Sequence, residues 1–164
     1  MRYIIRQKFW SWGDDFIIRD GDEQPCFLVD GRAFSLGDKL SFQDLQGNEL
    51  AFIRQRLLAW GPTYEIHRPG QPVTEVKKEL FTFFRCKFEV DGPGPRDYEA
   101  SGDFLDHEYE LQRSQGLAAT ISKRWFSLTD HYGIEIAEGE DVVLMLATAI
   151  VIDLVCHDES SRRH

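Results

Sequence analysis

Two short stretches carry residue types that do acid–base or metal chemistry. Asp103-Phe104-Leu105-Asp106-His107-Glu108 sets carboxylates beside a histidine, the combination that general acid–base catalysis employs. In an extended strand Asp106 and Glu108 share one face and His107 takes the other, so the trio does not converge. No Gly-x-Ser-x-Gly, no phosphate loop and no nucleophile with a paired base accompanies it. A hairpin of ordinary polar residues is the better account. Further on, Asp153 and His157 stand at i and i+4 with Cys156 and Asp158 adjacent, a spacing that can seat a metal. One face of one helix supplies no second source of ligands, and a helix C-terminus attracts histidine through its dipole. The pair therefore reads as helix capping, with no metal and no cofactor. Cys26, Cys86 and Cys156 form no Cys-x-x-Cys pair and read as free thiols in a reducing compartment.

The elements that would position these residues are legible from a repeat. Trp10-Ser11-Trp12-Gly13-Asp14 returns as Phe34-Ser35-Leu36-Gly37-Asp38, Leu58-Ala59-Trp60-Gly61-Pro62, Phe81-Thr82-Phe83-Phe84-Arg85 and Phe126-Ser127-Leu128-Thr129-Asp130, with a degraded copy at Leu105-Asp106-His107. The copies begin at 10, 34, 58, 81, 105 and 126, a period that marks one repeated supersecondary unit. Between them, apolar and polar residues alternate with period two. Leu40 and Phe42, Tyr64 and Ile66, Phe88 and Val90, Tyr109 and Leu111, and Tyr132, Ile134 and Ile136 share the apolar side of their segments. One wet and one buried face is the antiparallel pattern. Six hairpin units predict about twelve strands.

Residues 141–157 break this grammar. Acidic residues at 138–141 suit a helix N-terminus. Val142 to Cys156 is then apolar except for Thr148 and Asp153. As a helix those 15 residues reach about 22 Å, short of the roughly 30 Å of a hydrocarbon core. A helix apolar on every side must be buried on every side, and a barrel of about twelve strands is too wide for its own side chains to fill. The expectation is a mostly β protein: a closed twelve-stranded antiparallel barrel around a central, buried C-terminal helix. Residues 1–158 form one domain and 159–164 a loose tail.

The chain has 164 residues, a formal charge of −9 and a pI near 5.0. That balance argues against nucleic-acid binding, which needs a basic face. The opening Met1-Arg2-Tyr3-Ile4-Ile5-Arg6 reads as strand, without a signal-peptide core. A cytoplasmic location is the expectation, peripheral at the membrane if lipid is bound, with no transmembrane span.

Residues 34–44, Gly47-Asn48-Glu49-Leu50-Ala51, Lys123-Arg124-Trp125-Phe126-Ser127 and the closing apolar helix together resemble the LURP-one-related family, which is grouped with the Tubby C-terminal domain and the phospholipid scramblases. The resemblance implies the same barrel and central helix. Tubby domains bind phosphoinositide headgroups through basic residues, and scramblases respond to calcium. This chain has no Asp-x-Asp-x-Asp calcium loop, so scramblase activity does not carry over.

Lys8, Arg32, Arg56, Lys78 and Arg124 recur just before the repeat motif. Equivalent positions lie near one barrel rim, where they would form a cationic collar for an anionic phospholipid or phosphoinositide headgroup. The plainer reading is that strand-end cations keep the barrel soluble. Trp10, Trp12, Trp60 and Trp125 share the same phase; packing inside the barrel accounts for them better than membrane wedges do. The expected function is a non-enzymatic binding or regulatory module working from the barrel exterior. A protein-interaction scaffold is the alternative, and an enzyme with a groove at the barrel mouth comes third.

Overall fold

A computed structural model describes residues 1–8, 15–31, 37, 39–82, 85–92, 97–124 and 131–162, with the side chains at 7, 8, 15, 80–82, 85, 86 and 157–162 outside that description. Twelve strands precede one helix: β1 (Arg2–Lys8), β2 (Asp15–Asp20), β3 (Pro25–Gly31), β4 (Lys39–Asp44), β5 (Glu49–Gln55), β6 (Thr63–His67), β7 (Thr74–Thr82), β8 (Arg85–Asp91), β9 (Tyr98–Asp103), β10 (Glu108–Arg113), β11 (Gly116–Ser122), β12 (His131–Ile136) and α1 (Val142–Arg162). Each strand pairs antiparallel with its neighbours in sequence, and β1 pairs with β12 to close the barrel. Closure leaves no exposed sheet edge for another chain to pair with. The expected twelve-stranded barrel and its helix are both present.

Alternation decides which side chains enter the interior. Leu40 and Phe42, Tyr64 and Ile66, Phe88 and Val90, Tyr109 and Leu111, and Tyr132, Ile134 and Ile136 are all buried. From Leu144 to Cys156 every residue of α1 is buried as well. Those 13 residues span about 20 Å, close to the length of a strand of six or seven residues at about 3.3 Å each. The apolar run is thus about as long as one strand of the wall. The helix itself continues to Arg162, past the expected end at 157 and into the segment read as a loose tail.

Polar groups pin the start of the helix. The Asp141 carboxylate accepts a hydrogen bond from the Leu144 N–H at 3.1 Å, capping the first turn, and pairs with Arg68 just after β6. Neighbouring Glu140, almost fully buried, accepts from the Tyr98 hydroxyl at 2.8 Å and pairs with Arg113 at 2.6 Å. Acidic residues at a helix N-terminus here serve two purposes, since they also bind the surrounding wall.

At Gly102 the backbone leaves no room for a side chain. A Cβ on Gly102 would sit 2.6 Å from the Glu108 carbonyl oxygen, and its φ is +138°. That close approach lets the β9–β10 hairpin fold tightly and turn His107 inward.

Removing residues 140–164 exposes the inner face of every strand and deletes the segment that fills it. The shortened chain is expected to lose its cooperative thermal transition in near-ultraviolet circular dichroism; an intact melt would show that the wall stands alone.

Candidate functional site

Two rims differ in what they present. The connections β1–β2, β3–β4, β5–β6, β7–β8, β9–β10 and β11–β12 lie at one end, called the upper rim. The other connections and the start of α1 lie at the lower rim. In sequence order all six repeat copies fall in or across the connections at that end, so the sequence periodicity and the order of the strands are in phase.

Two cations of the expected collar, Arg56 and Arg124, stand on opposite sides of the ring. Arg56 follows β5 and Arg124 follows β11, six strands apart in a ring of twelve. Arg56 leans down the outside wall to Glu75 at 2.7 Å. Arg124, with its side chain 84% exposed, lies 3.7 Å from Glu108. Lys78 is only 7% exposed; it pairs in register with inward-facing Phe88 and so stands on the interior side of β7. A lysine there is not a rim cation, because the repeat phase places it four residues short of the strand end. Lys8 ends β1 with its side chain outside the described residues, and Arg32 lies outside them altogether.

Around those cations the upper rim is apolar. In the β5–β6 connection Leu57 is 59%, Leu58 98% and Trp60 95% exposed; Leu105, in the β9–β10 turn, is 64% exposed. Trp60 is therefore not packed inside the barrel, as its phase in the repeat implied. Trp10, Trp12 and Trp125 lie outside the described residues. Gly37 brings the β3–β4 connection against this cluster, since a Cβ there would lie 2.9 Å from Leu57 Cδ2.

Beneath the upper rim, the two stretches with chemical residue types meet. His107 adopts a left-handed φ of 53°, a conformation a histidine tolerates better than most side chains. Its Nε2 lies 2.6 Å from Asp153 Oδ1 on α1, and its ring stacks on Tyr132 with centroids 4.5 Å apart. Asp153 is thus not a helix cap, and the side chain of His157 lies outside the described residues. Asp153 is a mid-helix carboxylate held by a residue 46 positions away. A buried carboxylate demands such a partner. That demand was readable in the sequence, whereas the identity of the partner was not.

Beside this pair, the hydroxyls of Tyr109, Tyr132 and Thr148 and the Nδ1 of His107 are buried without a hydrogen-bond partner in the structure. Burial, reinforced by Asp153 and Cys156, pushes the Tyr109 hydroxyl well above the ordinary tyrosine range. Burial, Asp153 and Tyr109 do the same for Tyr132. Both hydroxyls stay protonated, so they present donors to the interior. The cluster fixes how far α1 is inserted and how it is rotated. It presents no nucleophile to solvent.

Glu108, on the outward side of the same hairpin, organises the neighbouring connection. Its carboxylate accepts from the Ser122 hydroxyl at 2.9 Å and from the Lys123 and Arg124 backbone N–H groups at 3.0 and 3.2 Å. Burial pushes this carboxyl up, but Ser122, those N–H groups and the Arg124 charge outweigh it and hold it below its ordinary value of 4.5. Outside β6 to β8 lies an open groove of about 570 Å³ lined by Glu65, His67, Val73, Glu75, Asp91 and Gly92. Glu65, Glu75 and Asp91 stand directly opposite one another there. Such a like-charge row is unfavourable, and Arg54 and Arg56 relieve it by pairing with Glu65 and Glu75. Among the described residues no group of three or more His, Cys, Asp or Glu could hold a metal, and no helix is long and apolar enough to cross a membrane.

Two measurements test these assignments. A double-mutant cycle of His107→Gln and Asp153→Asn is expected to give a coupling of roughly 1–3 kcal/mol in urea denaturation; additive effects would deny the interior tie. A carboxyl held low in the folded state contributes stability above its unfolded pKa and loses it as pH falls through the folded one. Wild type should accordingly exceed Glu108→Gln in stability at pH 7, and the gap should close below about pH 4.

The model of the LURP-one-related family matches residues 1–153. The uncharacterized protein YxjI of Bacillus subtilis (strain 168) is 40% identical over 156 residues, covering 95% of this chain and 94% of that protein. An X-ray structure of a protein from Arabidopsis thaliana superimposes with a TM-score of 0.64 at 15% identity, over 93% of this chain and 89% of that one; it shares the fold. On this evidence the chain belongs to the LURP-one-related family.

Proposed function

We propose that the barrel is a non-enzymatic binding or regulatory module that recognises an anionic phospholipid headgroup from its outside, at the upper rim. The filled interior supports an exterior mode, since α1 occupies the space a ligand would need. The observation that carries the reading is the exposure of Arg56 and Arg124 beside the rim connections, with Lys8 and Arg32 at equivalent strand ends in sequence. Both arginines are held only by exposed ion pairs, worth about 0–1 kcal/mol. A phosphate, which takes a guanidinium in bidentate fashion, competes with such pairs. Because the cations are spaced round the ring, they suit several headgroups of a surface better than one headgroup in a pocket.

The second reading, a protein-interaction scaffold, is favoured by the acidic groove over β6 to β8, which would take a basic segment of a partner.

Sedimentation with vesicles separates the two. The protein is expected to bind phosphatidylserine-containing vesicles, to release them as salt rises, and to lose several-fold affinity in Arg56→Gln/Arg124→Gln. Equal partition onto neutral and anionic vesicles would dismiss headgroup recognition.

A further inference from the structure

The composition of the two rims differs far more than their charge. Connections at the upper rim total 34 residues, of which 15 are large apolar or aromatic; those at the lower rim total 27, with two, Leu45 and Val73. All four tryptophans of the chain fall in upper connections, and each of the six upper connections carries at least one large apolar residue. Among the described residues Phe104 belongs to the core, but folding stability gives no reason for Leu57, Leu58, Trp60 and Leu105 to be exposed there. Exposed Leu58 and Trp60 contribute almost nothing to the core, and a soluble surface normally avoids clustering such residues. Charge follows the same axis. Lower connections hold six carboxylates against two arginines, whereas upper ones hold four against four cations.

We infer that the upper rim inserts its loop tips into the interface of an anionic bilayer, with Leu57, Leu58, Trp60 and Leu105 entering among the acyl chains and headgroups. This rests on the headgroup reading above and adds what makes the ligand a bilayer surface rather than a free phosphate. Three observations choose that occupant. Tryptophan with neighbouring basic residues, here Trp60 near Arg56 and Trp125 next to Lys123-Arg124 in sequence, is the composition of a membrane–water interface. Of the described tips, Leu57, Leu58 and Trp60 follow β5 and Leu105 follows β9, four strands apart in the ring, a spacing that suits a plane better than one bound peptide. The acidic rim lies at the opposite end, so an anionic surface orients the barrel with its apolar end inward.

The test compares wild type with Leu58→Ala/Trp60→Ala, whose side chains are too exposed to matter for folding; an unchanged melting temperature checks this. Vesicles of phosphatidylcholine with and without phosphatidylserine are the probes. The double variant should bind anionic vesicles about tenfold more weakly than wild type. Brominated acyl chains should quench wild-type fluorescence, and Trp60→Phe should remove part of that quenching. Equal vesicle affinity of wild type and double variant, with quenching indifferent to Trp60→Phe, would overturn insertion while leaving headgroup recognition intact. Wild type binding neutral and anionic vesicles alike, with affinity lost in the double variant, would keep insertion and remove the headgroup reading. Self-association abolished by the double variant, without vesicle binding, would assign the rim to a second copy of this chain and overturn the inference.

Discussion

A helix with no polar face cannot rest on the outside of a soluble protein. Every residue from Leu144 to Cys156 is withdrawn from water, and only an enclosure that surrounds it on all sides can do this. The rest of the architecture follows from that constraint. Twelve strands give a ring wide enough to admit a helix, and side chains lining the wall pack with those of the helix in one core. Fixing a helix inside a smooth apolar sleeve still leaves sliding and rotation undetermined, because hydrophobic contact is not directional. The chain resolves this with polar pins at both levels: Asp141 and Glu140 at the base, His107 with Asp153 towards the top.

The upper pin is costlier than the lower. Its histidine and aspartate satisfy each other, yet three hydroxyls and a ring nitrogen nearby have no partner. Each such group gives up roughly 1–3 kcal/mol relative to a hydrogen-bonded one. These groups lie directly under the rim whose connections are richest in apolar residues.

Much of the fold was legible because both of its periodicities are local. Alternation in segments such as Tyr64–Ile66 and Phe88–Val90 reports burial without knowledge of partners, and the repeat spacing reports hairpins. The helix was legible by exclusion, being too apolar for the surface and too short for a bilayer. What could not be read were contacts between distant positions. His107 and Asp153 each stood out within its own stretch, but nothing in the sequence joined them; only the hairpin turn at Gly102 and the depth of α1 bring them together. Lys78 was misplaced for a related reason, since the motif that defines the rim begins inside β7 rather than after it. Trp60 shares its phase with the other tryptophans, but phase alone does not say whether a loop residue turns inward or outward.

Ring closure also shapes how the chain reaches this structure. Eleven of the strand pairings join neighbours in sequence, and each can form as soon as its hairpin is made. The twelfth, β1 with β12, joins residues separated by more than a hundred others. Its loop-closure entropy grows only as the logarithm of that length. The seam between the first and last strands is therefore the one pairing that no single hairpin can supply.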